Sequence, residues 1–126
     1  MHYKLVAWIV LFHDVFEIEF ADLSEAVQDE LLAQAKLLEQ FGPTLGRPRV
    51  DTLKGSQHAN MKELRFDADG GVWRVAFAFD PNRRAFLLVA GDKSGGSEKR
   101  FYRQLVRTAD KRFSEHLEQV TKEKKQ

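Results

Sequence analysis

Between residues 54 and 103 lie ten side chains suited to one kind of chemistry: Lys54, His58, Lys62, Arg65, Arg74, Lys93, Lys99, Arg100, Tyr102 and Arg103. Lysine and arginine hold backbone phosphates, and a tyrosine or histidine among them can stack on a base. Such a set can also break a phosphodiester bond without a metal. A ribose 2′-hydroxyl attacks the adjacent phosphorus, and cations stabilise the charge that builds there. A lysine whose pKa is lowered by its neighbours serves as acid or base. The same residues have an ordinary reading as surface charge, with Arg65 and Arg74 as cross-strand partners of Glu63 or Asp67.

Other familiar constellations are missing from the sequence. Gly91, Gly95 and Gly96 do not make a GxGxxG pattern, and there is no phosphate-binding GxxxxGK[ST] or zinc-binding HExxH. The four histidines, His2, His13, His58 and His116, lack metal-ligand spacing. Ser56 and Ser97 lack the glycine context of a nucleophile elbow. With no cysteine there is no disulfide framework and no thiol nucleophile, which fits a reducing cytosol. The expectation is a cytoplasmic protein that needs neither metal nor small-molecule cofactor.

The 126 residues make one domain by length, with a formal net charge of +1. That charge is unevenly spread. Residues 1–42 hold two basic and eight acidic side chains, whereas residues 43–126 hold 18 basic and 11 acidic. If the two parts fold apart, the surface is polarised and its basic side suits a polyanion.

Periodicity predicts the elements that must position the basic set. Residues 63–80 read ELRFDADGGVWRVAFAFD. Trp73, Val75, Phe77 and Phe79 fall on one strand face, and Arg74, Ala76 and Ala78 on the other. Residues 61–66 and 72–79 pair through a DADGG hairpin turn, and 72–79 pairs with 85–90 through DPNRR. The apolar run from Leu5 to Phe12 predicts a buried first strand. It is far shorter than the roughly 20 residues of a membrane span, and no small-residue cleavage site follows it. Asp14 is a plausible N-cap of a first helix, and Asp22 with Glu25 resembles a capping box opening a second. That second helix carries Leu23, Val27, Leu31, Ala35, Leu38 and Phe41, and Gly42-Pro43 stops it.

Residues 42–62 read as a long basic loop with room for one helical turn, and GDKSGGS as a second flexible loop. A last helix opens at Ser97 or Glu98 with an apolar stripe through Phe101, Leu105, Ala109, Phe113, His116 and Leu117, and residues 118–126 are expected to fray. The order is β-α-α-β-β-β-α. It predicts an α+β fold with an antiparallel sheet of about four strands, an N-terminal helical hairpin and a C-terminal helix. Helices on one sheet face would leave the other partly open, with Arg65 and Arg74 over a floor kept low by the alanines.

Four segments, GRPRVDTLKGSQHANMKELRF, GVWRVAFAFDP, LLVAGDKSG and FYRQLVRTADKRFSEHL, in that order, resemble the phage-related, HigB-like branch of the RelE/ParE toxin superfamily across residues 8–117. The resemblance implies the RelE-like fold and a toxin paired with an antitoxin, often a helix-turn-helix protein. It also implies ribosome-dependent cleavage of mRNA without metal. Matched by motif, Lys54 in LKGS and Lys62 in MKEL look like phosphate-binding or acid–base lysines. Arg74 in WRV resembles a transition-state arginine, and Arg65 in ELR is another family-like strand position. Lys93 in GDK ends the last strand, and Tyr102 in FYRQL is a stacking or base-like tyrosine. The sequence departs from relatives that carry several adjacent basic residues after the final strand. Here Lys93 stands alone and SGGSE delays the helix, so Lys99 or Arg100 could take up the missing charge. The ParE branch shares the fold but acts on DNA gyrase and has no nuclease site, so a non-enzymatic toxin is the alternative.

Overall fold

One sheet organises the chain. The computed structural model describes residues 8–124, which fold as β1 (Ile9–Phe12), α1 (Asp14–Ala21), α2 (Glu25–Phe41), a 3-10 turn (Gly42–Thr44), β2 (Val50–Thr52), β3 (Lys62–Ala68), β4 (Gly71–Phe79), β5 (Arg84–Asp92) and α3 (Glu98–Lys124). The strand order is β1-β5-β4-β3-β2. Four of the strands pair antiparallel, and β1 joins β5 in parallel at the edge. The sheet is thus mixed and has five strands rather than about four. The added strand, β2, lies in the stretch read as loop; Val50 is drawn in because its side chain is buried in the core. The 3-10 turn occupies the room left for a helical turn.

The alternation through β4 holds. Val75 and Phe77 join β3 residues Leu64 and Phe66 in a core with Phe16 of α1 and Val27, Leu31 and Leu38 of α2. Ala76 and Ala78 face the other way, into a second core with Leu88, Leu105, Ala109 and Phe113. Helices therefore cover both faces, not one. The small alanines do not leave an open floor; they let α3 approach the sheet closely. The Asp69-Gly70 turn between β3 and β4 has φ of 52° and 75°, the paired left-handed geometry that matches strand twist.

Other boundaries move for local reasons. His13, rather than Asp14, caps α1 by accepting the Val15 N–H at Nδ1, and Ser24, rather than Asp22, caps α2. Gly42 ends α2 at φ 55° against Trp8, where a side chain would collide with the indole. The first strand is an exposed edge instead of a buried strand, with Ile9 55% and Leu11 38% exposed; its expected beginning, Leu5 to Ala7, lies outside the described residues. α3 does not fray at residue 118 but runs to Lys124, because Val120 is buried. Below it, His116 stacks on Phe86 at 3.7 Å and meets the Asp80 carboxylate at 2.8 Å. Burial pushes the Asp80 pKa up. Hydrogen bonds from His116, Arg84 and the Asn82 N–H outweigh that and hold it below the usual carboxylate range.

Candidate nucleic-acid interface

At the end of the sheet where β2, β3 and the β5–α3 connection meet is an open hollow of about 380 Å³. Lys54, Arg65, Lys93 and Tyr102 line it, four of the six residues that the family resemblance singled out. They come from four separate segments. Lys54 follows β2 and is exposed. Arg65 lies on β3 on the same face as Glu63, directly across from Arg74 on β4. Lys93 is held by Asp92, whose Oδ1 accepts from the Val72 N–H, the Ser94 N–H and the Ser94 hydroxyl. Tyr102 reaches in from the first turns of α3. The SGGSE insertion loops out without parting the last two, since Lys93 Nζ sits 5.9 Å from the centre of the Tyr102 ring.

Two arginines directly opposite on neighbouring strands would repel. Glu63 settles the conflict. Its Oε1 lies 3.1 Å from Arg74 Nε and 3.8 Å from Arg65 Nε, and accepts the Tyr102 hydroxyl proton at 2.8 Å. Arg74 Nε also reaches the tyrosine hydroxyl at 3.2 Å, and its Nη1 donates to the Trp73 carbonyl. Arg74 is 5% and Glu63 6% exposed. Arg74 therefore stands behind the wall of the hollow and does not line it; the open face on which alternation was expected to place it is covered. Burial raises the Glu63 pKa against the opposing pull of Tyr102 and Arg74. Burial, then the hydrogen bond to Glu63, raises that of Tyr102.

Glu63 is the functional candidate the sequence reading missed; there it appeared only as an ion-pair partner. The signal was present in strand alternation, which puts Glu63 and Arg65 on the face that Arg74 shares. Arg47, Asp51, Thr52 and Glu98 complete the rim. Arg47 pairs with Asp51 at 2.7 Å and holds its pKa down, and Lys93 pairs with Glu98 at 2.7 Å. Glu98 is 67% exposed, and such solvent-screened pairs contribute little. An arriving phosphate can therefore replace Glu98 as the partner of Lys93, whereas the buried Arg74–Glu63 pair stays intact.

The structure separates the remaining basic candidates from the hollow. Lys62 is one residue out of phase with Arg65, so alternation turns it to the opposite sheet face. His58 packs edge-on against Phe113 and bonds Ser114, serving the fit of the 53–61 loop on α3. Lys99, Arg100 and Arg103 are exposed on α3 outside the lining. Among the described residues no group of histidine and carboxylate side chains is arranged to hold a metal ion, and no helix is long and apolar enough to cross a membrane.

Residues 18–114 match the model of a phage-derived protein family described as Gp49-like. The chain belongs to this family. Its Gp49-like region resembles HigB2 of Mycobacterium tuberculosis, described as a candidate toxin, at 44% identity over 98 residues. That match takes in 77% of this chain and 48% of HigB2, so it spans about half the relative's length. HigB3 of the same organism, described in the same way, is 53% identical over 81 residues, 64% of this chain and 68% of the relative. Among solved structures, an arginine-substituted variant of the E. coli toxin RelE in its free state superposes with a TM-score of 0.55 at 13% identity, covering 79% of this chain and 94% of that one. The RelE-like fold and the HigB-like kinship expected from the motifs both hold.

Proposed function

We propose that this Gp49-like chain is the toxin of a toxin–antitoxin pair, acting in the cytoplasm as an endoribonuclease on ribosome-bound mRNA without a resident metal. The observation that carries the reading is the convergence of Lys54, Arg65, Lys93, Tyr102 and Glu63 on one hollow. The kinship with HigB-named chains supports it. The nearest contacts of Tyr102, Arg74 and Arg65 to the Glu63 carboxylate fall on Oε1, and Oε2 takes a proton from a ribose 2′-hydroxyl. The hydroxyl oxygen then bonds to the adjacent phosphorus. Arg65 and Lys93 stabilise the charge on the pentavalent phosphorus. Lys54 gives a proton to the departing 5′-oxygen, leaving a 2′,3′-cyclic phosphate and a free 5′-hydroxyl. Tyr102 stacks on a base and is held by Glu63. The cognate antitoxin covers the hollow with complementary acidic side chains.

Inducing the chain in cells and sequencing RNA 5′ ends tests this. Cleavage within translated messages is expected, with growth arrest relieved by Lys54→Ala or Arg65→Ala in folded protein. Loss of one such charge costs about a hundredfold or more in rate. The burial of Arg74 favours one rival, a non-enzymatic ParE-like binder of DNA gyrase. That rival predicts intact messages and accumulated gyrase–DNA complexes.

A further inference from the structure

The outward side of α3 carries charge that the hollow does not use. At 3.6 residues per turn, Arg100, Arg103, Arg107 and Lys111 fall within an arc of about 80°, along about 17 Å of helix. All four are exposed. Leu105, Ala109 and Phe113 are buried on the opposite side, so the stripe points straight away from the sheet.

Several features set this stripe apart from an ordinary solvated helix. Arg47, Arg65, Arg74, Arg84, Lys93 and Arg112 each have a carboxylate within 4.0 Å. Among the described residues, none of the four stripe cations has one. Arg103, Arg107 and Lys111 are four apart, a like-charge spacing that weakens a helix. Asp110, the carboxylate beside them, is committed to the Ser56 hydroxyl and the Gln57 N–H. The acidic helix α2 packs on the opposite face of the sheet, whereas α1 reaches α3 at one edge, where Glu19 is already paired with Arg112, so the field draws an anion to the outward side of α3. At its far end the stripe borders a cavity of about 340 Å³ lined by Arg107, Lys111 and Arg112, with His13 and Glu115 also in the lining. At its near end Lys99 sits on the helix flank between Tyr102 and the stripe.

We propose that the stripe is a second RNA contact, which grips backbone phosphates beyond the segment held in the hollow and reads no bases. The inference rests on the hollow being an RNA site. An acidic protein is the other class of partner for such a stripe. RNA is favoured because the stripe itself presents no exposed aromatic or aliphatic side chain to anchor a protein; Val15, exposed in the cavity at its far end, belongs to α1 and stands alone there.

The test uses the whole chain and a fluorescent 24-nucleotide single strand, 2′-O-methylated so that it cannot be cut, with anisotropy read across a salt series. Arg107→Ala with Lys111→Ala should bind roughly tenfold more weakly at 0.1 M salt, with a log–log salt slope shallower by about 1.4, or 0.7 per lost phosphate contact. Lys36→Ala, on the acidic side, should match wild type. Unchanged affinity and slope in the double variant overturn the proposal. So does a loss of binding confined to a poly-glutamate peptide, which makes the stripe a protein surface. If the double variant loses RNA binding while Lys54→Ala and Arg65→Ala still cut messages in cells, the stripe stands and the hollow's assignment falls; the reverse pattern sinks the stripe alone.

Discussion

In the proposed mechanism the work of Glu63 and its surroundings pull its protonation in opposite directions. As a base it must be ionised, yet burial raises its pKa from the ordinary glutamate value. The rate should therefore fall as pH drops through that raised value. Glu63→Gln should lose this acid limb and run at least a hundredfold slower, read as a pH–rate profile on a cleavable RNA. A limb that survives the substitution would reassign the base. The raised pKa also fixes a sign for stability. A carboxyl group more easily protonated when folded favours the native state in acid, below its ordinary value, and gives up that contribution as pH rises through its native value. Arg74 offsets the loss by standing against the carboxylate. Arg74→Ala should cost about 3 kcal/mol at pH 7, where it leaves a buried charge unpaired, and less at pH 4. Urea unfolding at the two pH values measures the difference, and equal costs would place the effect elsewhere than in the pair.

At the scale of elements, the segment between β2 and β3 is tied to α3 across more than 50 residues of sequence. Asp110 accepts from the Ser56 hydroxyl and the Gln57 N–H, while Ser114 meets the side chains of Gln57 and His58. Lys54 is carried on that segment. Asp110→Ala should speed amide exchange at residues 54–58, shift the melting midpoint by only a few degrees, and lower cleavage about tenfold through misplacement of Lys54. Full activity with fast exchange would show that the tether is irrelevant to the lysine. The sequence made some of this readable and hid the rest. β3, β4 and their Asp-Gly turn were legible because a period of two and a left-handed turn are local properties. β2 was not, because three residues amid glycine and proline carry no period; only the burial of Val50 reveals the strand. The side of the sheet that α3 covers is likewise set by the second core, with Ala76 and Ala78 meeting Ala109 and Phe113, which no local window contains. Lys54, Arg65, Lys93 and Tyr102 could be named from motifs. Alternation put Glu63 on the face of Arg65 and Arg74, but the role proposed for it depends on burial and on Tyr102, 39 positions away, which no local pattern shows.

Taken whole, the sheet carries the acidic helix α2 on one face and the basic helix α3 on the other, with an apolar core under each, and α1 meets α3 at the edge through Glu19 and Arg112. The second core is the smaller, and Phe113 joins it to the 53–61 loop through His58. Phe113→Ala should cost about 3 kcal/mol by leaving a cavity between α3 and the sheet. Because the same ring supports the loop, the variant should also lose activity at temperatures where it remains folded. A denaturation midpoint within error of wild type would mean that α3 is held by other means. The hollow itself draws on the β2–β3 loop, a middle strand, the end of the last strand and the final helix. In a chain made from its N-terminus, the first four strands can be complete while Tyr102 is still inside the ribosome that is making it. The finished pocket comes into being only when α3 has emerged and docked, so, on the proposed function, a nascent copy carries no assembled site against the messages around it.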